Sequence, residues 1–264
     1  MTESAPRQRP VALITGGSSG IGSACVQALS ATHDVWFTYH RGCAAAEAVL
    51  ESIREQGGRA WALALDSGDR GSIRAAYDHF VCEQAAPRLD ALVANAGTFG
   101  DGYRLLMELE EQEWDAVWAT NTTGVIDVFR IFAGLLARGS TVVNVSTINV
   151  ALGAIGYKSH AHYAASKAAT DAFFAAVAEV GALRGVRCIN LVPGLVETRM
   201  LHEHFAHELD AYRLAVPSQR FGEPEEIGRL VARLLSGEAE LAIHRISADG
   251  GWLQKGWERI HSPP

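Results

Sequence analysis

Short, continuously apolar runs alternate with segments of helical period along nearly the whole chain, and few folds can absorb that alternation. Residues 11–15, 35–39, 60–65, 91–94, 141–145, 186–191 and 243–247 read as seven strands. Residues 25–30, 44–56, 72–84, 112–137, 164–183 and 224–235 read as the helices between them. A strand that is apolar on both faces must be covered on both faces, which points to a parallel sheet with helices on either side. Strand and helix units repeated with short connections predict an α/β fold with a doubly wound, parallel, seven-stranded sheet. Its ligands are expected beyond the carboxyl ends of the strands.

The 264 residues are enough for one domain with a substantial core. No linker or second composition regime precedes the Ser262-Pro263-Pro264 tail, so residues 1–264 are expected to form a single domain. Residues 197–220 depart from the rhythm and are expected to be a mobile, partly helical insertion over a site. Lys and Arg number 23 against 30 Asp and Glu, a net charge of −7, which argues against a nucleic-acid partner. Cys25, Cys43, Cys82 and Cys188 show neither the spacing of a zinc site nor that of a disulfide framework, so reduced thiols in a cytoplasmic protein are expected. Residues 1–10 lack the apolar stretch of a signal peptide, and polar residues interrupt the longest uncharged run, 139–157, so no membrane span is expected.

Behind the first strand stands Gly16-Gly17-Ser18-Ser19-Gly20-Ile21-Gly22, and a helical pattern begins at once. Glycines there allow a sharp turn and close backbone approach to a phosphate, and the helix N-terminus favours its negative charge. From Thr15 the spacing is TGxxxGIG. With Asp66 after the third strand, Asn95-Ala96-Gly97 after the fourth, Asn121 and Tyr163-Ala164-Ala165-Ser166-Lys167, the chain resembles the short-chain dehydrogenase/reductase family. Pro193-Gly194 and Asp249-Gly250-Gly251 extend the likeness over almost the entire length, and within the family the chain resembles NADP-dependent 3-oxoacyl reductase-like members.

The resemblance implies a Rossmann-type fold and a nicotinamide dinucleotide. Gly16, Ser18, Ser19, Gly20, Ile21 and Gly22 would cradle its pyrophosphate, Asp66 and Ser67 would meet the adenine, and Asn95, Ala96 and Gly97 would pass its ribose. Pro193 and Gly194 would also border the cofactor, and Val196 and Thr198 after them would orient the nicotinamide carboxamide. At the end of the second strand, NAD-specific members carry an acid, whereas this chain has Tyr39, His40 and Arg41. No carboxylate there repels a 2'-phosphate and Arg41 can bind one, so NADP(H) is expected to be preferred, with NAD(H) possible. A solvated loop charge is the alternative reading of Arg41.

Tyr163 and Lys167 lie four residues apart on one helix face. An ammonium beside a phenol favours the phenolate, so Lys167 is expected to bring the Tyr163 pKa down towards the working range. The resemblance assigns Tyr163 the general acid/base role, gives Lys167 the nicotinamide ribose, and has Asn121 anchor the backbone and water that link Lys167 to solvent. The family's serine after the fifth strand is replaced: Asn144-Val145-Ser146-Thr147 puts Thr147 in that slot with Ser146 beside it, and either hydroxyl could serve. The stretch from Thr147 to Tyr163 is longer than is usual in the family and contains Lys158, His160 and His162.

Met200, Leu201, Phe205, Tyr212 and Leu214 are apolar candidates for a substrate-covering lid. His202, His204 and His207 cluster in the same segment without a diagnostic metal spacing, and no metal is expected. Leu241-Ala242-Ile243 replaces an apolar-Thr-Gly turn common in the family, so the local turn and the subunit contact near it are expected to differ. The resulting expectation is an NADPH-dependent ketoreductase acting on a small carbonyl or alcohol substrate. A 3-oxoacyl thioester, a secondary metabolite or a sugar are the substrate classes left open. A dehydratase or epimerase on the same scaffold, or a catalytically silent nucleotide-binding partner subunit, are the alternatives. The resemblance further implies a homodimer or homotetramer packed through the helices that hold Asn121 and Tyr163.

Overall fold

The computed structural model describes residues 9–100, 106–152, 161–206, 208–236 and 244–253. Seven strands form one parallel sheet in the order β3-β2-β1-β4-β5-β6-β7. In chain order the elements are β1 Val11–Ile14, α1 Gly20–Ser30, β2 Asp34–Tyr39, α2 Cys43–Glu55, β3 Ala60–Ala64, α3 Arg70–Cys82 and β4 Leu89–Ala94. They continue with α4 Glu111–Trp118, α5 Val125–Phe132, β5 Leu136–Val145, the single turn α6 Asn149–Leu152, α7 Ala161–Arg184 and β6 Arg187–Pro193. α8 Arg199–Phe205, α9 Leu209–Ala215, α10 Pro224–Leu235 and β7 Arg245–Ala248 complete the series. No helix of the described residues is long and apolar enough to cross a membrane.

Two apolar layers sandwich the sheet, as the unbroken strands require. Ala12, Ile14, Val35 and Phe37 face α1, α2 and α10, whereas Leu13, Trp36, Leu92 and Val142 face α3, α5 and α7. Full burial of a Leu, Ile or Phe stabilises by about 1.5–3 kcal/mol, and Leu13, Ile14 and Phe37 are completely buried. Local signals set the helix starts. Asp69 accepts from Gly71 N and Ser72 N at 2.9 and 3.2 Å ahead of α3, and Pro224 occupies the first turn of α10 while Glu226 accepts from Glu223 N at 2.9 Å.

The expected helix over 112–137 is the main departure. α4 and α5 are separated by a π turn, Ala119–Gly124, and a 3-10 turn at Ala133–Leu135 leads straight into β5 at Leu136, so residues 136–137 are strand. The wider turn brings Asn121 to complete burial, where its amide is satisfied by tertiary partners. At the other end, β7 begins at Arg245, and the Leu241-Ala242-Ile243 turn lies outside the described residues. The strand order reverses between β1 and β4, and the crevice opened there at the carboxyl ends receives the loops that carry the motifs.

Candidate active site

The glycine turn between β1 and α1 is built for close backbone approach. Gly16 and Gly20 have φ of +67° and +53°, and a Cβ on Gly22 would overlap the Gly16 carbonyl oxygen. Ser19 stands at the N-cap of α1 without a side-chain capping bond, so no serine oxygen takes up the first N–H groups of the helix. Ile21 packs into the core below. Thr15 and Asn95 tie this turn to the β4 turn: Thr15 Oγ1 accepts from Asn95 N and Ala96 N, both at 3.0 Å, and Asn95 Nδ2 donates to Thr15 O at 3.0 Å. Thr15 was not among the expected site residues, although its place before Gly16 made it readable as the brace of the turn.

At the rim Tyr39 is half-buried, while His40 and Arg41 are exposed. His40 Nε2 lies 3.4 Å from Asp66 Oδ2, and Asp66 Oδ1 accepts from Gly68 N at 2.8 Å, which joins the β2 and β3 ends. Arg41 makes no ion pair with a described residue. The adjoining Gly42 brings the chain up to Ser18, whose Oγ would stand 3.5 Å from a Cβ there. Ser67 is buried beside the π turn, with its carbonyl against Gly124.

Deeper in the crevice, β5 and α7 bring the expected catalytic set together. Tyr163, Lys167 and Asn121 are 7%, 4% and 0% exposed. The Thr147 hydroxyl accepts from Asn149 N at 3.3 Å and stands near enough to Tyr163 to favour its phenolate, whereas Ser146 Oγ is buried without a partner among the described residues. Lys167 Nζ donates to the Val145 carbonyl at 2.9 Å. Asn121 accepts from Thr98 N at 2.8 Å and donates to Thr98 O at 2.8 Å and to Ser166 Oγ at 3.0 Å, so it fixes the β4 loop against α7. A side chain at Gly97 would stand 3.2 Å from Asn121 Oδ1 and 3.3 Å from Lys167 Nζ, which explains the glycine there.

The electrostatics differ from the sequence expectation. Burial holds the Tyr163 phenol well above its ordinary pKa, the Thr147 hydrogen bond opposes that rise, and the Asp171 carboxylate adds to it. Lys167 is no source of the offset: burial lowers its own pKa to about 8, and Asp171 alone pulls it back.

Phe99 lies on the Tyr163 ring at 3.9 Å between centroids, with His204 and Phe205 of α8 at 4.9 and 5.8 Å from Phe99. Nothing in the sequence pattern singled out Phe99. Residues 197–220 supply α8 and α9, from which Leu201, Phe205 and Tyr212 are buried around Tyr163 and Met200 packs at their edge. Leu214 is the exception, at 66% exposed, because it falls on the outer side of α9. Thr198 caps α8 by accepting from Leu201 N at 3.2 Å and stands against Gly20, while Val196 bridges to Gly222 and Gly194 N donates to the Ala248 carbonyl at 2.9 Å after Pro193 ends β6. His202 pairs with Glu197 at 2.8 Å, His162 Nε2 contacts the Phe99 carbonyl at 2.9 Å, and His207, Lys158 and His160 lie outside the described residues. Among the described residues no three His, Cys, Asp or Glu are grouped to hold a metal ion.

Comparison with known proteins gives this arrangement a lineage. The family model described as short chain dehydrogenase matches residues 10–209. The 3-oxoacyl-(acyl-carrier-protein) reductase FabG of Staphylococcus aureus is 32% identical over 245 residues, covering 91% of this chain and 96% of its own. Among solved structures, a short chain dehydrogenase from Burkholderia cenocepacia in complex with NADP superimposes with a TM-score of 0.82 at 32% identity, over 92% of this chain and 97% of that one. A 3-oxoacyl-(acyl-carrier protein) reductase from Brucella melitensis in complex with NAD gives 0.85 at 27% identity, over 94% and 98%. The glycine turn, the strand order and the match over most of the chain agree: this protein belongs to the short chain dehydrogenase family and is an NAD(P)-dependent oxidoreductase acting on carbonyl or alcohol groups.

Proposed function

We propose that the protein is an NADPH-dependent ketoreductase in which Tyr163 is the general acid. The observation that carries this reading is the burial together of Thr147, just past the carboxyl end of β5, and Tyr163, with Lys167 one helical turn on from Tyr163. A phenol is protonated at neutral pH, so Tyr163 can give its proton to a carbonyl oxygen as hydride arrives. Thr147 adjoins that hydroxyl, while Lys167 is buried on the Val145 carbonyl and Asn121 on Thr98 and Ser166. The glycine turn suits a dinucleotide because positive φ at Gly16 and Gly20 and the close packing of Gly22 on the Gly16 carbonyl let the backbone turn tightly at the N-terminus of α1, and the dinucleotide when bound supplies the hydride. Gly16 to Gly22 would hold the pyrophosphate, Arg41 and Ser18 a 2'-phosphate, and Asp66 with Asn95 to Gly97 the adenosine. Residues 197–220 cover the substrate, and no step calls for a metal.

The substrate class nearest to the relatives is a 3-oxoacyl thioester, since two of the relatives named above are 3-oxoacyl reductases. A carbonyl panel that includes such thioesters, followed by NADPH absorbance, tests the reading. Stoichiometric oxidation with at least one ketone is expected, and tight NADPH binding without turnover on any carbonyl would overturn it.

Two variants separate the roles within the site. Thr147→Ala is expected to lower kcat on the order of 10², and Ser146→Ala to leave it within about threefold, as fits a hydroxyl that faces no described partner. Equal losses from both would refute the assignment of Thr147. For the cofactor, kcat/KM should favour NADPH over NADH, and Arg41→Ala should erase the preference by raising the NADPH KM about tenfold or more, the value of one charge-assisted pair, with NADH unchanged. A wild-type preference for NADH would contradict this.

A further inference from the structure

Tyr163, Lys167 and Asp171 follow one another at intervals of four residues along α7, so one helix face carries all three. The proposed reaction makes no use of Asp171, yet this carboxylate is only 6% exposed. A buried charge needs partners, and three successive strands supply them. Asn144 of β5, Asn190 of β6 and Arg245 of β7 are register partners, forming one row across the sheet. Asn144 Nδ2 donates to Asp171 Oδ1 at 3.1 Å and Arg245 Nη1 to Asp171 Oδ2 at 3.0 Å. Asn190 Nδ2 donates to the Asp171 backbone carbonyl at 3.0 Å, and Asn144 Nδ2 reaches Asn190 Oδ1 at 2.9 Å. Both carboxylate oxygens are therefore fixed. Of the three partners only Arg245, 38% exposed, reaches the solvent edge of the sheet.

Lys167 sits one turn away in a setting hostile to its charge. Its ammonium is buried on the Val145 carbonyl, and the neighbouring β4 loop and π turn offer Gly97 and Asn121, both neutral. Among the described residues the charged group that acts on it is Asp171 on α7, with Arg245 of β7 behind that carboxylate; Tyr163 precedes it by one turn of the same helix.

We propose that Asp171, held by the row Asn144, Asn190 and Arg245, is the counter-charge that keeps Lys167 protonated in the buried site. Asp171 is a positioning residue: it acts through Lys167 and touches no reacting atom. An anion stabilises the ammonium, so Asp171 raises the Lys167 pKa against the lowering by burial, and Arg245, paired with that carboxylate, would offset part of its charge. The two partners thus push Lys167 in opposite directions. The proposal rests on the reading that Lys167 serves the reaction, but its first test does not involve turnover.

The chain has three lysines, Lys158, Lys167 and Lys255, so in protein labelled at the lysine ε-carbon the Lys167 resonance can be assigned by its loss in Lys167→Met. The wild type is expected to titrate at about 8. Asp171→Asn should move that titration down by about one unit or more, and Arg245→Gln should move it up. The alkaline limb of kcat/KM for carbonyl reduction should follow in each case, with Asp171→Glu restoring most of the loss. A structural role alone predicts losses of activity that are the same at every pH. Lys167 titrating at one pH in all three proteins, or shifting the same way in both variants, would overturn the proposal. Should Asp171→Asn fail to fold, Arg245→Gln decides: an upward shift supports the proposal and its absence overturns it. Opposite shifts with an unmoved pH profile would support the electrostatic assignment and contradict the role of Lys167 in turnover.

Discussion

Replacing Tyr163 by Phe should lower kcat by about 10² to 10⁴, the usual worth of a positioned general acid, while leaving NADPH binding within about twofold. The ring stays, so its contact with Phe99 at 3.9 Å and the surrounding packing of Leu201, Phe205 and Tyr212 are preserved. Only a hydroxyl disappears, and losing even one neutral hydrogen bond with it would cost about 1 kcal/mol of stability. Fold and cofactor affinity are therefore separable from turnover in this variant. Thermal melting and a fluorescence titration with NADPH provide the controls. Wild-type turnover in a folded Tyr163→Phe protein would end the assignment.

Gly22→Val should act on the opposite ledge of the crevice and weaken dinucleotide binding by on the order of 10² to 10³. Even a Cβ at this position overlaps the Gly16 carbonyl oxygen and stands 2.7 Å from Asn95 Nδ2, so there is no void to accept it. These neighbours are backbone and a braced amide rather than the loose end of a side chain, because Asn95 is bonded to Thr15 O and Gly16 O at 3.0 and 3.3 Å. α1 would have to move away from the turn, at an overpacking cost of about 3 kcal/mol or more. The strand framework does not depend on the turn, so a folded protein with a lost NADPH site is expected. Calorimetric titration checks the affinity and circular dichroism the fold. Unchanged affinity would show that the turn is not the phosphate cradle.

The central strands were legible because burial on both faces leaves its mark in successive residues: Val11 to Ile14 is buried throughout. The 112–137 helix was not. Val117, Val125, Val128 and Phe132 keep helical period across the π turn, and what opens that turn is Asn121 reaching Thr98 and Ser166, partners far away in sequence. Thr147 and Ser146 are chemically equivalent on paper, and only the direction of each hydroxyl separates them. The pKa expectation for Tyr163 went astray because spacing shows that Lys167 shares its face but not that burial outweighs the neighbouring charge. Asp171 continues the same spacing, but its significance depends on the strand register that aligns Asn144, Asn190 and Arg245.

The central claim is hydride delivery to a carbonyl carbon with the proton coming from Tyr163, and an isotope experiment meets it directly. NADPH deuterated at the transferring position of the nicotinamide ring, turned over with a ketone from the panel, should leave deuterium on the carbinol carbon of the alcohol in step with dinucleotide oxidised. The Tyr163→Phe protein should bind the same NADPH and slow the transfer by the factor given above. Oxidation of the dinucleotide with no deuterium in the alcohol, or undiminished transfer by Tyr163→Phe, would contradict the account.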